Sequence, residues 1–322
     1  MKSVKSFLSK YLLIFVWLAV YLGVGLINSR FLSSGNFVTI TRTTSYVMML
    51  ALGQMIVMCS GELDFSIGAQ ATFGACIMGK LLDIGVVSSF WLALALGVLA
   101  TMALAMISAT LIIKMKLPAF ITTLAMSMVM DAFVTGMTNN MPLFSRNWPE
   151  NFTIFKTIEV GPLPLQSVVG FIILIALIVF MEKSRTGRYI YAVGANPTAC
   201  TQTGISVTKI KYLSFAVCSF CCSFGGCVQA SYLQTVPITL GNDYLMTALC
   251  ACTLSTAFFR PGKYNPLGAF VGTLLLITIS NAISNLGLGT EINNITQSLV
   301  LLISLALIAR MHKNGLPKVA FN

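Results

Sequence analysis

The chain has 322 residues, 57% of them hydrophobic and only 9% charged, with a mean hydropathy of +0.87. That is too little polar surface to coat a soluble globule, so the sequence reads as an integral membrane protein. An ordinary soluble enzyme, a large extramembrane domain and a long disordered tail are excluded. The net charge of +11 comes from scattered basic residues rather than a dense patch, which argues against nucleic-acid binding and fits membrane orientation instead.

In chain order, Met1 to Asn28 carries Lys2, Lys5 and Lys10 ahead of an apolar run from Tyr11 to Ile27. No small-x-small cleavage site follows, so this reads as an uncleaved first helix rather than a signal peptide. Further apolar segments fall at Thr43 to Ser60, Ser66 to Leu82, Val87 to Ile113, Ala119 to Met137, Gln166 to Met181, Tyr212 to Leu233, Tyr244 to Phe259, Leu267 to Leu286 and Ile292 to Ala309. With the first, these make about ten transmembrane helices in an all-α polytopic bundle. Thr43 to Leu82 also accommodates a helix broken within the membrane.

Assigning the loops alternately to two sides, with the N-terminus in the cytoplasm, divides the basic residues 15 to 5. Inside are Lys2, Lys5, Lys10, Lys114, Lys116, Lys183, Arg185, Arg188, Lys209, Lys211, Arg260, Lys263, Arg310, Lys313 and Lys318; outside are Arg30, Arg42, Lys80, Arg146 and Lys156. The positive-inside rule therefore predicts both termini in the cytoplasm.

Two hydrophilic stretches exceed a tight connection. Thr138 to Leu165 holds Pro142, Pro149, Pro162, Pro164 and Trp148 and is expected outside as an irregular cap. Glu182 to Lys211 is expected in the cytoplasm. Within it Asn196-Pro197 places an N-cap before a proline at the first helical position, Thr198 to Thr203 makes about two turns, and Gly204 suits a left-handed stop. A short surface helix is predicted there, and so long a structured loop among tight turns implies a partner rather than a mere connector.

Cysteine and histidine usage closes off other chemistry. Cys59, Cys76, Cys218, Cys221, Cys222, Cys227, Cys250 and Cys252 lie in apolar runs and only Cys200 in a polar loop, so they read as small packing residues. Cys218-Ser-Phe-Cys221-Cys222 has no His or acidic neighbour that would make it a metal or redox motif. The single histidine, His312, sits in the basic tail as a solvated residue.

Four blocks then carry a resemblance that runs over nearly the whole length after the first helix. They are Gly61-Glu-Leu-Asp64-Phe-Ser66-Ile-Gly68; Leu117-Pro118-Ala-Phe120-Ile121-Thr-Thr123-Leu124; Thr186-Gly187-Arg188-Tyr189-Ile190-Tyr191-Ala192-Val193-Gly194-Ala-Asn196 with Gly204-Ile205; and Pro266-Leu-Gly268 through Asn281. In this order they resemble blocks of the permease subunits of ribose-type carbohydrate ABC importers, and the cytoplasmic run is the most specific. Two departures stand out. Leu254-Ser-Thr-Ala-Phe-Phe-Arg260-Pro261-Gly262 replaces a glycine-rich stretch, and Asp131 stands where the family often has Arg. Either a changed substrate or one half of a heterodimer accounts for both.

The resemblance implies a fold like that of type II ABC importers, with residues 1–322 forming one transmembrane permease domain in a bacterial inner (plasma) membrane. It implies an ABC ATPase subunit, a periplasmic or extracellular substrate-binding protein and a second permease subunit, identical or not, as partners. No cofactor and no nucleic acid is expected. Coupling to the ATPase falls to Gly187, Arg188, Gly194, Asn196, Pro197 and Gly204, and the candidates for the translocation path are Asp64, Ser66, Thr123, Asp131, Asn281 and Asn285.

Each candidate also has a plainer reading. Asp64 and Ser66 directly precede an apolar helix, where their oxygens can cap backbone N–H groups. Gly268-x-x-x-Gly272 permits close helix packing. Asn281 and Asn285 share a helical face and serve interhelical contacts as readily as a sugar hydroxyl. Asp131, well inside a helix, must face the interior or a wet cavity.

Three classes of function compete on these residues. A primary-transport permease needs no nucleotide site of its own, and there is no G-x-x-x-x-G-K-[ST] loop: Arg260-Pro-Gly-Lys263-Tyr264 lacks the first glycine and the final hydroxyl. An ion-coupled secondary transporter of a small polar solute needs intramembrane acids, of which only Asp131 is well placed. An intramembrane hydrolase lacks a serine–histidine pair, and Asp64 and Asp131 lack the neighbours of an aspartyl site. The helices show no paired charges, so the expected cargo is a small neutral sugar, moved without chemistry along a weakly polar path.

Overall fold

The computed structural model describes residues 2–144, 148–256, 259–260 and 262–313, and the side chains among them except those of residues 2–13, 290, 301 and 304–313. Arg146, Pro261 and Lys318 lie outside the described residues, as do the side chains of Lys2, Lys5, Lys10, Arg310, His312 and Lys313.

In lipid a backbone must bond to itself, and apolar runs of this length do so as helices. The helices are α1 (Lys2–Ile27), α2 (Ser34–Cys59), α3 (Ile67–Asp83), α4 (Phe90–Met115), α5 (Ala119–Thr138), α6 (Ile154–Thr157), α7 (Leu165–Lys183), α8 (Arg185–Ala195), α9 (Pro197–Gln202), α10 (Val207–Leu233), α11 (Leu245–Ser255), α12 (Pro266–Asn285) and α13 (Thr290–Lys313). Every one of the ten expected apolar segments falls on a helix. The count of about ten crossings is not confirmed: among the described residues, α4, α5, α7, α10 and α12 are the five long and apolar enough to cross a bilayer.

Packing explains part of the difference. From Thr44 to Cys59 every residue of α2 is buried, because α7, α10, α11 and α12 surround it. A helix sheathed in protein has no need of a lipid-facing surface, so α2 keeps Thr39, Thr41, Arg42 and Thr43 in its first half. At 11 residues α11 is only about 16 Å long, half the hydrocarbon thickness. The segment before it folds into the bundle instead: Tyr46 in α2 donates to the Leu240 carbonyl at 3.0 Å, and the Gly241 N–H donates to Thr72 in α3 at 2.9 Å.

Small residues let the central helices touch. A Cβ on Gly226 of α10 would overlap the Ala71 carbonyl of α3, and one on Gly74 would stand 2.9 Å from Ser223 Cβ. On the other side of α2, a Cβ on Gly268 or Gly272 of α12 would come within 2.8 Å of Ser255 or 3.0 Å of Ala251 of α11. The Gly268-x-x-x-Gly272 pattern thus serves close packing within the chain.

The two ends of the bundle differ in build. One carries residues 138–165, which are not wholly irregular as expected: β1 (Leu143–Phe144) pairs antiparallel with β4 (Thr235–Val236), and β2 (Glu159–Val160) with β3 (Leu163–Pro164). Lys156 donates to Gln234 here at 2.9 Å, and Trp148 stacks edge-on against Phe152 at 4.5 Å. The other end carries α8 and α9, and with them Lys116, Lys211 and Arg260. The nine cysteines are all buried, including Cys200, which turns inward from α9.

Candidate functional site

The stretch 182–211 folds as two helices rather than the single one expected. Ser184 ends α7 and caps α8, its hydroxyl accepting the Gly187 N–H at 2.9 Å. Gly187, Ile190 and Val193 then face inward at every third position, and the bend from α7 admits no larger residue at 187: a Cβ would overlap the Phe180 and Met181 carbonyl oxygens. Arg188 is exposed, and its guanidinium donates to the Lys183 carbonyl at 3.1 Å.

The second helix follows the predicted grammar. Asn196 accepts the Ala199 N–H at 2.9 Å, Pro197 occupies the first turn, and Gly204 ends the unit at φ +81°. Nothing lies within 4 Å of where a Cβ on Gly204 would be. The cost of a larger residue there is therefore backbone strain rather than a steric clash.

Gly194, at the end of α8, lies directly on the connection between α2 and α3. A Cβ on it would overlap the Cys59 carbonyl oxygen, stand 3.0 Å from the carbonyl carbon and 3.2 Å from the Gly61 nitrogen. Gly61 faces it with φ +86°, a left-handed conformation that costs other residues about 1–2 kcal/mol. Two further bonds tie α8 and the end of α7 to the connection before α12. Tyr191 donates to the Tyr264 carbonyl at 3.0 Å, and Arg260 pairs with Glu182 at 3.1 Å.

From Gly61 the connection runs into the bundle and brings together three of the six expected path residues, Asp64, Ser66 and Thr123. Asp64, only 1% exposed, accepts from the Ser66 N–H at 2.8 Å, the Ser66 hydroxyl at 2.5 Å and Gln70 Nε2 at 2.8 Å. Ser66 begins α3 without a side-chain cap; the carboxylate of Asp64 instead holds the Ser66 N–H and hydroxyl and the Gln70 amide. The Phe65 N–H donates to Thr123 of α5 at 3.0 Å, and the Phe65 ring meets Phe120 edge-on at 4.8 Å.

Further along the α3–α5 seam, half-buried Asp131 accepts from Asn242 Nδ2 at 3.0 Å. Asn242 is wedged against α3, where a Cβ on Gly68 would lie 2.9 Å from its Oδ1. Asp131 therefore faces the interior. Asn242, on the re-entrant segment before α11, was missed at the sequence level; its one signal there is a polar Gly241-Asn242-Asp243 run between two apolar ones.

Asn281 and Asn285 do not join this group. They pair with each other on α12, Asn285 Nδ2 reaching Asn281 Oδ1 at 3.0 Å, and Asn28 at the end of α1 donates to the Asn285 carbonyl at 3.4 Å. Their side chains thus bond within α12, and the contact with α1 is made by the Asn285 backbone. Among the described residues no group of three His, Cys, Asp or Glu side chains is placed to hold a metal ion.

Residues 36–307 match the family described as the branched-chain amino acid transport system / permease component, and the chain belongs to that family. It is 26% identical to the ribose import permease protein RbsC of Escherichia coli K12 over 87% of this chain and 88% of that protein. It is 25% identical to the RbsC protein of Bacillus subtilis 168 over 95% and 92%, and 24% identical to the xylose/arabinose import permease protein XylH of Sulfolobus acidocaldarius over 81% and 74%. No solved structure matches it. The protein is thus a multi-pass membrane permease.

Proposed function

We propose that the chain is the membrane-spanning subunit of an ATP-driven importer that admits a small neutral sugar. Separate ATPase subunits supply the energy, a binding protein delivers the sugar, and a second permease subunit completes the passage. Both termini, α8 and α9 then face the cytoplasm, residues 1–322 act as one permease domain, and residues 138–165 face outward toward the binding protein. The relatives named above are import permeases for ribose and for xylose or arabinose, which supports a pentose-sized cargo.

The observation that carries this reading is the contact of Gly194 with Cys59 and Gly61. It joins an appendage outside the bundle to the one irregular strand that enters the α3–α5 seam. When ATPase closure pushes α9 and α8, Gly194 bears on the Cys59–Gly61 backbone, Phe65 pulls on Thr123, and α3 and α5 shift as a pair. Asp64 acts as the anchor that keeps the strand and the first turn of α3 in one piece, and the seam opens alternately to the two sides. The sugar meets hydroxyls and amides in passing, without a deep site.

Reconstitution tests this. The chain alone in liposomes hydrolyses no ATP and accumulates no solute against a gradient, and adding the ATPase and binding protein restores both. Uptake driven by a proton or sodium gradient in the lone chain would instead make Asp131 a coupling acid and the protein a secondary transporter.

A further inference from the structure

On the end of the bundle that carries α8, a cavity of about 450 Å³ opens between the α4–α5 turn and the start of α10. Its floor is apolar, from Ile112, Ile113 and Val207, while Lys116, Lys211 and Thr208 stand at its mouth beside Glu62. Glu62 is already matched to Lys211 in an ion pair. Lys116 is exposed, as are Lys114 and Lys209 on the same two segments, so among the described residues that line the opening the two lysines outnumber the one carboxylate, Glu62. Around the same turn large apolar side chains are bare: Met115 is 63% exposed and Ile121 61%, with Leu117 and Phe120 between them. Cations above and bare apolar side chains beside a groove match a molecule with an anionic head and hydrocarbon tails.

We propose that this pocket takes the phosphate headgroup of an anionic phospholipid from the leaflet on the coupling side, with its chains lying along α4 and α5. Naming that leaflet cytoplasmic rests on the orientation proposed above; the pocket does not. The exposed apolar rim favours a lipid over a free phosphate, which has nothing to place against Met115 or Ile121. Lys116 adopts φ +56° at the end of α4, and this left-handed turn raises its ammonium to the mouth. Bound phosphate would compete with Glu62 for Lys211. Glu62 lies next to Gly61, so the lipid would bear on the same connection that α8 touches.

The test uses the full chain, purified in detergent, delipidated and titrated with phosphatidylglycerol, phosphatidylcholine or inorganic phosphate, with bound lipid counted by native mass spectrometry. One phosphatidylglycerol is retained where phosphatidylcholine at the same concentration is not, and millimolar inorganic phosphate leaves it in place. Lys116→Asn keeps a residue suited to the left-handed turn and removes one charge, so retention weakens about fivefold. Thr208→Glu, which adds an acid at the mouth, weakens it at least as much, whereas Lys80→Gln at the opposite end has no effect. Equal retention of the two lipids, displacement by phosphate, or wild-type retention in both pocket variants overturns the proposal. So does Lys116→Asn lowering recovery of a partner subunit while lipid retention stays unchanged, which would make this a protein interface. Neither ATPase nor transport enters the measurement, so its failure leaves the importer reading untouched.

Discussion

Alanine at position 194 is the smallest perturbation that separates a coupling element from a decorative one. The new Cβ would overlap the Cys59 carbonyl oxygen and lie 3.0 Å from its carbon, and both partners are backbone, so no side chain can swing away. Ordinary carbon–oxygen contact needs a little over 3 Å, so α8 must lift from the 59–61 connection by an appreciable fraction of an ångström or more. Overpacking of this kind costs typically about 1–3 kcal/mol. Most of that is discharged by separating α8 from Cys59 and Gly61, because the overlap falls on the last residue of α2 and the connection after it. The expected result for Gly194→Ala is therefore an inserted, folded chain that still recruits its ATPase, with uptake and substrate-stimulated hydrolysis falling together while basal hydrolysis persists. The assay is uptake per assembled complex in proteoliposomes, alongside hydrolysis with and without loaded binding protein. Wild-type uptake at full assembly would refute transmission through this contact, and the connection through Tyr264 and Arg260 would have to carry it.

The cap of α9 gives a second test: Asn196→Ala costs about 1 kcal/mol of local stability, and Gly204→Val strains a backbone at φ +81°. Both variants insert normally but bind the ATPase less well, and intact co-purification in the Gly204 variant would remove α9 from the docking surface. For Asp131, the Asn variant keeps an acceptor for Asn242 and retains most uptake, whereas Ala leaves that amide unpaired at a cost of about 1–3 kcal/mol and transports poorly; an Asn variant as inactive as Ala would indicate a titrating acid. Orientation is decided by single cysteines in a cysteine-free background, where an impermeant reagent in intact cells labels position 156 and spares position 188. The reverse pattern inverts the topology.

How much of this was readable beforehand follows from the range of each interaction. The cap, proline and stop of α9 are written within nine residues, from Asn196 to Gly204, and each falls where the sequence placed it. The Asp64–Ser66–Gln70 network is equally local, although neither side chain caps α3 as expected: the acid binds Ser66 and the Gln70 amide instead. α8 was overlooked because Arg185, Arg188 and three tyrosine or threonine residues make the run look like loop. Its signal was the inward step of Gly187, Ile190 and Val193 after Ser184. Asp131 and Asn242 lie 111 residues apart, and no period or motif pairs them. The apolar run from Tyr244 to Phe259 was legible but not the shortness of α11, because hydropathy reports what faces lipid and Thr247 to Ser255 are buried in protein.

The glycines at the coupling contact are the instructive case, because the sequence marked Gly61 and Gly194 in separate blocks without a reason to join them. Side chains between two moving elements act as springs, since rotamers absorb small displacements before anything beyond them shifts. At Gly194 and Gly61 there are none, and backbone bears on backbone. In the coupling proposed above, a push on α8 would reach the Cys59–Gly61 connection with little slack, and the left-handed turn at Gly61 would pass it into the segment held by Asp64.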